Sequence, residues 1–313
     1  MERKSTKSHT VIDKVFFVGS KKLGHSILKK LHTINPESIK RVVTIDDTSD
    51  ERNYFNEFRS FTKENTLPLN ILTKPSELGT LIREEKPDLV IVVGWYWIIS
   101  PEVLEMVPNG LIGIHASSLP QYRGFAPLVW AVINGEKKTG ISLFYLSDGI
   151  DTGDIIDQRE LPIGENSNIS SLLDETEKLS LDMIEKNYES ILNKSNTRSP
   201  QKENKISYCS IRKPEDGLIN WSWKNTDIHN FIRAQSDPYP GAFTYINGEK
   251  YFLSDSTVIK YPYYGPSGVI AEKNSKYIIV CCGENALKIK NIKKYTSNEN
   301  IINKMRFGKK FEW

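Results

Sequence analysis

His115 stands where an apolar run, LIGIH at 111–115, gives way to the loop ASSLPQYRG. A buried strand that ends on an imidazole puts the side chain that titrates near neutral pH at the rim of a sheet. On position alone such a histidine is either a structural hydrogen-bonding group or part of an active site. A second loop, SDGIDTGD, follows the next apolar run, ISLFYL at 141–146, and carries Asp148, Asp151 and Asp154 around Gly149 and Gly153. It reads either as a solvated turn or as a place where the backbone approaches a ligand closely. Both loops are expected at the same strand edge, so that an aspartate meets the imidazole, favours its protonated form and fixes its orientation.

Other chemistries find little support. His9, His25, His32, His115 and His229 form no metal-ligand spacing, so no metal is expected. No GxGxxG follows the first strand, GSKKLG being a weak substitute, and no GxSxG occurs. Cys209, Cys281 and Cys282 include no CxxC spacing and read as reduced thiols.

The elements that must position these groups alternate in the first half. Lys14–Gly19, Val42–Ile45, Asp88–Gly94, 111–115 and 141–146 read as strands, with 22–32 a helix. DLVIVVG has the near-continuous apolar character of a central parallel strand. The pattern predicts an α/β, doubly wound Rossmann-like domain over 1–194, with ligands beyond the carboxyl ends of the strands. Asn168 to about Leu192 reads as one long helix, and 195–205 as a polar linker. Over 206–313, a helix around Ile228–Arg233 precedes AFTYI, KYFL, GVIAE, YIIVCC and LKIKNI. These closely spaced short strands, with Asn247-Gly248 as a hairpin turn, predict a smaller β-barrel or sandwich. The stretch from about 296 to 313 is left unassigned.

With 313 residues, 38% hydrophobic and 26% charged, the chain has the composition of a globular protein. No apolar run approaches the roughly 20 residues a bilayer requires. The polar N-terminus lacks a secretory core, so a cytoplasmic address and no membrane partner are expected. A net charge of +3 with interspersed signs gives little support for a nucleic-acid surface.

Residues 113–127, GIHASSLPQYRGFAP, resemble the signature loop of the N10-formyltetrahydrofolate-dependent formyltransferases. The likeness continues through NGEKKTGISLFYLSDGIDTGDIIDQ at 134–158 and covers nearly the whole chain. It implies a Rossmann-like catalytic domain followed by an OB-like domain, and N10-formyltetrahydrofolate as co-substrate. It further implies that His115 serves the formyl oxygen or a proton relay, while Asp151 orients His115 and receives the proton. The pterin would be held by backbone groups and apolar walls, here Val93, Gly94, Trp95, Trp97 and Ile98, with Leu146, Asp148, Gly149 and Ile150. Ser117, Ser118 and Arg123 would face the acceptor or the cofactor tail, and Arg233 a substrate phosphate; for Arg233 a salt bridge with Glu215 or Asp216 is the alternative.

One position departs from the pattern. The family carries Asn-x-His, whose amide helps hold the formyl oxygen, and this chain has Gly113 in place of the asparagine. Either Ser117, Ser118, Asn134 or a water replaces that donor, or catalysis is slow, or the chain only binds. The runs IRKPEDGLINW and IHNFIRAQSDPYPGAFTYINGEKYF are similar to bacterial sugar N-formyltransferases. They point to a nucleotide-linked amino sugar as acceptor, with methionyl-tRNA formyltransferase or a binding-only member as alternatives. A homodimer is left open.

Overall fold

The computed structural model describes residues 11–295, 297 and 299–313. The chain divides into two compact units. The first comprises the chain up to Gly124, Gly140–Leu161 and Glu175–Tyr208; the second comprises Phe125–Thr139, Pro162–Asp174 and Cys209–Trp313.

In the first unit, β1 (Val15–Gly19), α1 (Lys21–Ile34), β2 (Ile39–Ile45), α2 (Phe55–Glu64), β3 (Leu69–Leu72), α3 (Ser76–Glu85) and β4 (Leu89–Val93) alternate as a doubly wound fold requires. A short α4 (Pro101–Glu105) leads into β5 (Leu111–His115) and then the two-residue β6 (Arg123–Gly124). The chain passes through α5 (Pro127–Ile133) in the second unit before β7 (Lys138–Tyr145) and β8 (Ile155–Pro162) complete the sheet. The order is β3-β2-β1-β4-β5-β7-β8, with β1 to β5 mutually parallel and the direction of winding reversing between β1 and β4.

Side chains alternate across a strand, and here both faces are covered. Val15 and Phe17 join Leu28, Leu31, Ile91, Met183 and Tyr188 on one side of the sheet. Phe16 and Val18 join Val43, Leu78, Ile82, Val90 and Val92 on the other. That is why VFFVG and LVIVV read as unbroken apolar runs. The helix expected from Asn168 is α6 (Ile169–Leu192). The polar stretch after it lies against the first unit: Ser199 bridges Ile155, and Ser207 accepts from Arg123 before β9 (Tyr208–Cys209) pairs with β6.

One expectation fails in an instructive way. β7 runs antiparallel to β5, pairing Ile112 with Tyr145 and His115 with Ser142. The loop after β7 therefore starts beside Leu111, whose carbonyl accepts from Leu146 N–H at 2.8 Å, and not at the His115 end. The two loops leave the sheet at opposite ends of β5, and residues 146–151 must double back to bring Asp151 to His115.

In the second unit, α5 packs on α7 (Asn225–Ala234). The strands are β10 (Ala242–Ile246), β11 (Glu249–Val258), β12 (Ile270–Lys273), β13 (Ile278–Cys281) and β14 (Ala286–Lys294), antiparallel in the order β10-β11-β14-β13-β12. Asn247 and Gly248 have φ of 52° and 76°, the paired positive angles of a type I′ hairpin turn. The chain's last residues, unassigned from sequence, bring the sheet edges together: Glu312 bridges Tyr245 on β10 and Lys310 bridges Val269 beside β12. Phe311, wholly buried, stacks on Trp221 at 5.1 Å. Among the described residues no helix is long and apolar enough to cross a membrane.

Candidate active site

His115 closes β5 with its side chain buried, and Gly113, two residues earlier, faces the same side of the sheet. Its ring is oriented from both nitrogens. Nε2 donates to the Tyr122 carbonyl at 2.8 Å, and Nδ1 lies 3.5 Å from Asp151 Oδ2. Both ring nitrogens therefore face oxygen atoms of the loops that follow β5 and β7. Phe144, opposite Gly113, presents its ring edge-on to the imidazole with centroids 6.3 Å apart.

Asp151 sits at φ 53°, a left-handed conformation that aspartate tolerates better than most residues. Its Oδ2 also accepts the Gly124 N–H at 2.7 Å, so a single carboxylate oxygen is aimed by a backbone donor and the imidazole together. The loop between His115 and Gly124 is braced from beneath. Ser142 Oγ donates to the Ser117 carbonyl (2.8 Å) and accepts from Leu119 N–H (3.2 Å) and Gln158 Nε2 (2.8 Å).

Of the residues expected to face acceptor or cofactor tail, Ser117 is fully buried and its hydroxyl donates to the Gln121 carbonyl at 2.6 Å. Ser118 is half-buried. Arg123 is buried, with Nε and Nη2 donating to Gln201 Oε1 and Nη1 to Tyr208 Oη. Arg233, in the second unit, donates from Nη1 to the Gly164 and Ser167 carbonyls at 2.9 and 2.7 Å, and from Nε to Asn230.

Residues 93–98 split between two surroundings. Val93 is buried, and Gly94, at φ 67°, approaches the turn after β1 so closely that an added Cβ would lie 2.4 Å from the Ser20 carbonyl. Trp95 and Trp97 meet edge to face at 5.2 Å and pack with Leu146 on one core cluster, leaving Trp95 Nε1 buried without a hydrogen-bond partner. Tyr96 turns away: its hydroxyl donates to Asp47 at 3.1 Å, while Lys21 lies over its ring and pairs with Asp47 and Asp50. Burial, and then the Asp47 and Asp50 charges, push the Tyr96 phenol well above its ordinary range. Ile98 is 77% exposed and Ile150 51%, and Asp148 and Gly149 are exposed beside Ile150.

Three groups had no individual signal in the sequence: the Tyr122 carbonyl, the Gly124 N–H and Gln201. The first two lie inside the loop already singled out, whereas Gln201 lies in the stretch read as a linker. Among the described residues no group of three or more histidines, cysteines or acids is placed to hold a metal ion.

The formyl transferase profile matches residues 14–186, and the profile for the formyl transferase C-terminal domain matches 212–306. The chain belongs to the formyltransferase family. It is 32% identical over 238 residues to the methionyl-tRNA formyltransferase of Acetivibrio thermocellus, covering 76% of each chain. With the Ruminiclostridium cellulolyticum methionyl-tRNA formyltransferase it shares 37% over 224 residues, 70% of each. Among solved structures, the sugar 3N-formyltransferase WlaRD, described with dTDP and 5-N-formyl-THF, superposes with a TM-score of 0.66 at 22% identity over 91% of this chain and 99% of its own. An N-formyltransferase from Helicobacter canadensis, in complex with folinic acid and dTDP-3-aminofucose, gives 0.66 at 21% over 90% and 99%. At these identities the structures share the fold, a Rossmann-like sheet followed by a smaller antiparallel one, and this formyltransferase is an enzyme of that architecture.

Proposed function

We propose that this formyltransferase moves the formyl group of N10-formyltetrahydrofolate to the primary amine of a nucleotide-linked amino sugar, with 1–194 as catalytic domain, 195–205 as linker and 206–313 as an OB-like domain. The observation that carries the transfer chemistry is the His115–Asp151 pair, its imidazole held by the Tyr122 carbonyl and its carboxylate by the Gly124 N–H. N10-formyltetrahydrofolate supplies a formyl carbon on a nitrogen that departs as an amine.

The attacking amine forms a new C–N bond and must shed a proton; the departing nitrogen keeps the electron pair of the broken bond and must gain one. Asp151, with its side chain 23% exposed, is the base that receives the first proton. His115, aimed by Asp151 and the Tyr122 carbonyl, serves the charge that develops on the formyl oxygen or relays the proton, and Asp151 returns the proton it has received to the departing nitrogen. No acyl-enzyme is required. Val93, Gly94, Trp95, Trp97, Ile98, Leu146, Asp148, Gly149 and Ile150 form the wall for the pterin in this reading, and Ser117, Ser118, Arg123 and Arg233 remain the proposed substrate contacts.

The sugar acceptor is supported by the C-terminal runs that resemble sugar N-formyltransferases and by the near full-length superposition on proteins described with dTDP or dTDP-3-aminofucose. The identity to methionyl-tRNA formyltransferases supports a second reading, transfer to methionyl-tRNA. Incubating the chain with N10-formyltetrahydrofolate and a panel of nucleotide-linked amino sugars, beside methionyl-tRNA, and reading products by mass spectrometry separates them. A formylated sugar nucleotide supports the proposal. Formyl-methionyl-tRNA alone replaces it with the second reading, and binding without product leaves a binding-only member.

A further inference from the structure

Gln201 is half-buried in a stretch whose following residues, 202–208, are exposed. Its amide joins two segments of the first unit. Oε1 accepts from Arg123 Nε at 3.1 Å and Nη2 at 2.6 Å, and Nε2 donates to the carbonyls of Asp151 and Gly153, each at 2.8 Å. Arg123 is only 6% exposed, and its Nη1 donates to Tyr208 Oη at 3.2 Å.

These contacts have a direction. The guanidinium donates to the amide oxygen, which polarises the amide and strengthens its own N–H donors toward the two carbonyls. Those carbonyls flank Asp151 in the loop that has doubled back from the far end of β5. Asp151 holds a left-handed backbone, which persists in a residue with a Cβ only when its surroundings over-determine it. The next residue after Arg123 is Gly124, whose N–H donates to Asp151 Oδ2. Arg123 and Gln201 thus fix the Asp151 backbone from one side while Gly124 fixes its carboxylate from the other.

We infer that Gln201 is a positioning residue for formyl transfer: its amide, polarised by Arg123, sets the backbone of Asp151 so that the carboxylate meets His115. The inference rests on the catalytic reading of His115 and Asp151. It also gives Arg123 a role, since its charge acts on the Asp151 backbone through Gln201.

The test is Gln201→Glu. Glutamate keeps the length of the side chain and still accepts from Arg123, but it brings a carboxylate against the Asp151 and Gly153 carbonyls where two donors stood. The expected result is a kcat lower by on the order of 10–100-fold, the cost of a small misplacement of a reacting group, with KM for both substrates within about threefold and the protein still folded at the assay temperature. A kcat equal to wild type overturns the inference, as does a fall in melting temperature with kcat preserved. If Gln201→Glu does not fold, Gln201→Met, uncharged and of equal length, is read the same way; failure of both to fold overturns the inference by making Gln201 a folding determinant. His115→Ala run alongside separates the two levels: full activity in His115→Ala removes the catalytic reading itself, whereas a dead His115→Ala beside an active Gln201→Glu removes only the role of Gln201.

Discussion

Restoring an amide at position 113 should accelerate the reaction, and the structure says what stands in its way. A Cβ built on Gly113 lies 2.8 Å from Leu146 Cδ1, 3.4 Å from Phe144 Cε1 and 3.6 Å from the Val92 carbonyl. Only the first distance is too short, and it involves the tip of a flexible, half-buried side chain, so Gly113→Asn is accommodated once Leu146 changes rotamer. Overpacking of this kind costs about 1–3 kcal/mol of stability. The gain falls on a different quantity. One well-aimed donor at a developing oxyanion is worth about 2.7–4 kcal/mol, on the order of 10²–10³ in kcat. Gly113→Asn is therefore expected to raise kcat at least about tenfold while lowering the melting temperature, and adding Leu146→Ala should keep the gain and recover part of the stability. Single-turnover formyl transfer gives the first quantity and thermal unfolding the second, with KM for the folate measured separately because Leu146 also belongs to the proposed pterin wall. Folded Gly113→Asn and Gly113→Asn/Leu146→Ala proteins that are both no faster than wild type would refute the reasoning, and would mean that another group already holds the formyl oxygen.

Ser142→Ala removes the partner of two donors and one carbonyl beneath the 116–124 loop, and a loss of about 1–3 kcal/mol in urea unfolding is expected from the groups left unpaired. Arg233→Ala releases the Gly164 and Ser167 carbonyls and should lower stability by a similar amount, about 1–3 kcal/mol, and raise KM for the acceptor; lowered stability with an unchanged acceptor KM would make Arg233 structural and remove it from the substrate contacts. Burial pushes the His229 imidazole below its ordinary range, outweighing the Glu165 carbonyl that raises it, and burial acts on His25 with the same sign. The unfolded chain then binds more protons, so this stability is complete above about pH 6.5 and is lost as pH falls through the lowered values. Urea midpoints measured across that interval should decline less steeply in His229→Gln than in wild type.

Much of the fold was legible because it is written in apolar periodicity. The VFFVG and LVIVV strands are buried on both faces and cannot be mistaken for surface segments, and Asn247-Gly248 announces its hairpin through backbone chemistry alone. Strand direction left no such trace. ISLFYL reads the same whether it runs with or against LIGIH, and only pairing of His115 with Ser142 reveals that β7 is antiparallel and that its loop must return along the sheet. Helices α2, α3 and α5 and strands β3 and β8 were not singled out from sequence, being short or half-polar. Of the candidate site, His115 stood out by position and Asp151 was singled out from three loop aspartates by the family resemblance; the two come within 3.5 Å. Charge in the sequence says less about where a cation goes. Arg123 and Arg233 carry the chemistry of phosphate ligands, yet both are buried among amide and carbonyl oxygens. Gln201 gave no signal because its partners are a guanidinium and two main-chain carbonyls, which have no periodicity and no motif.

The central claim is formyl transfer at the His115–Asp151 pair, and it is tested most directly by assaying wild type, His115→Ala and Asp151→Asn for formylated product under single-turnover conditions. Loss of one proton-transfer group costs about 10²–10⁴-fold, so each variant should form product at least about a hundredfold more slowly while retaining its fold. A His115→Ala protein that formylates its acceptor at the wild-type rate would contradict the account.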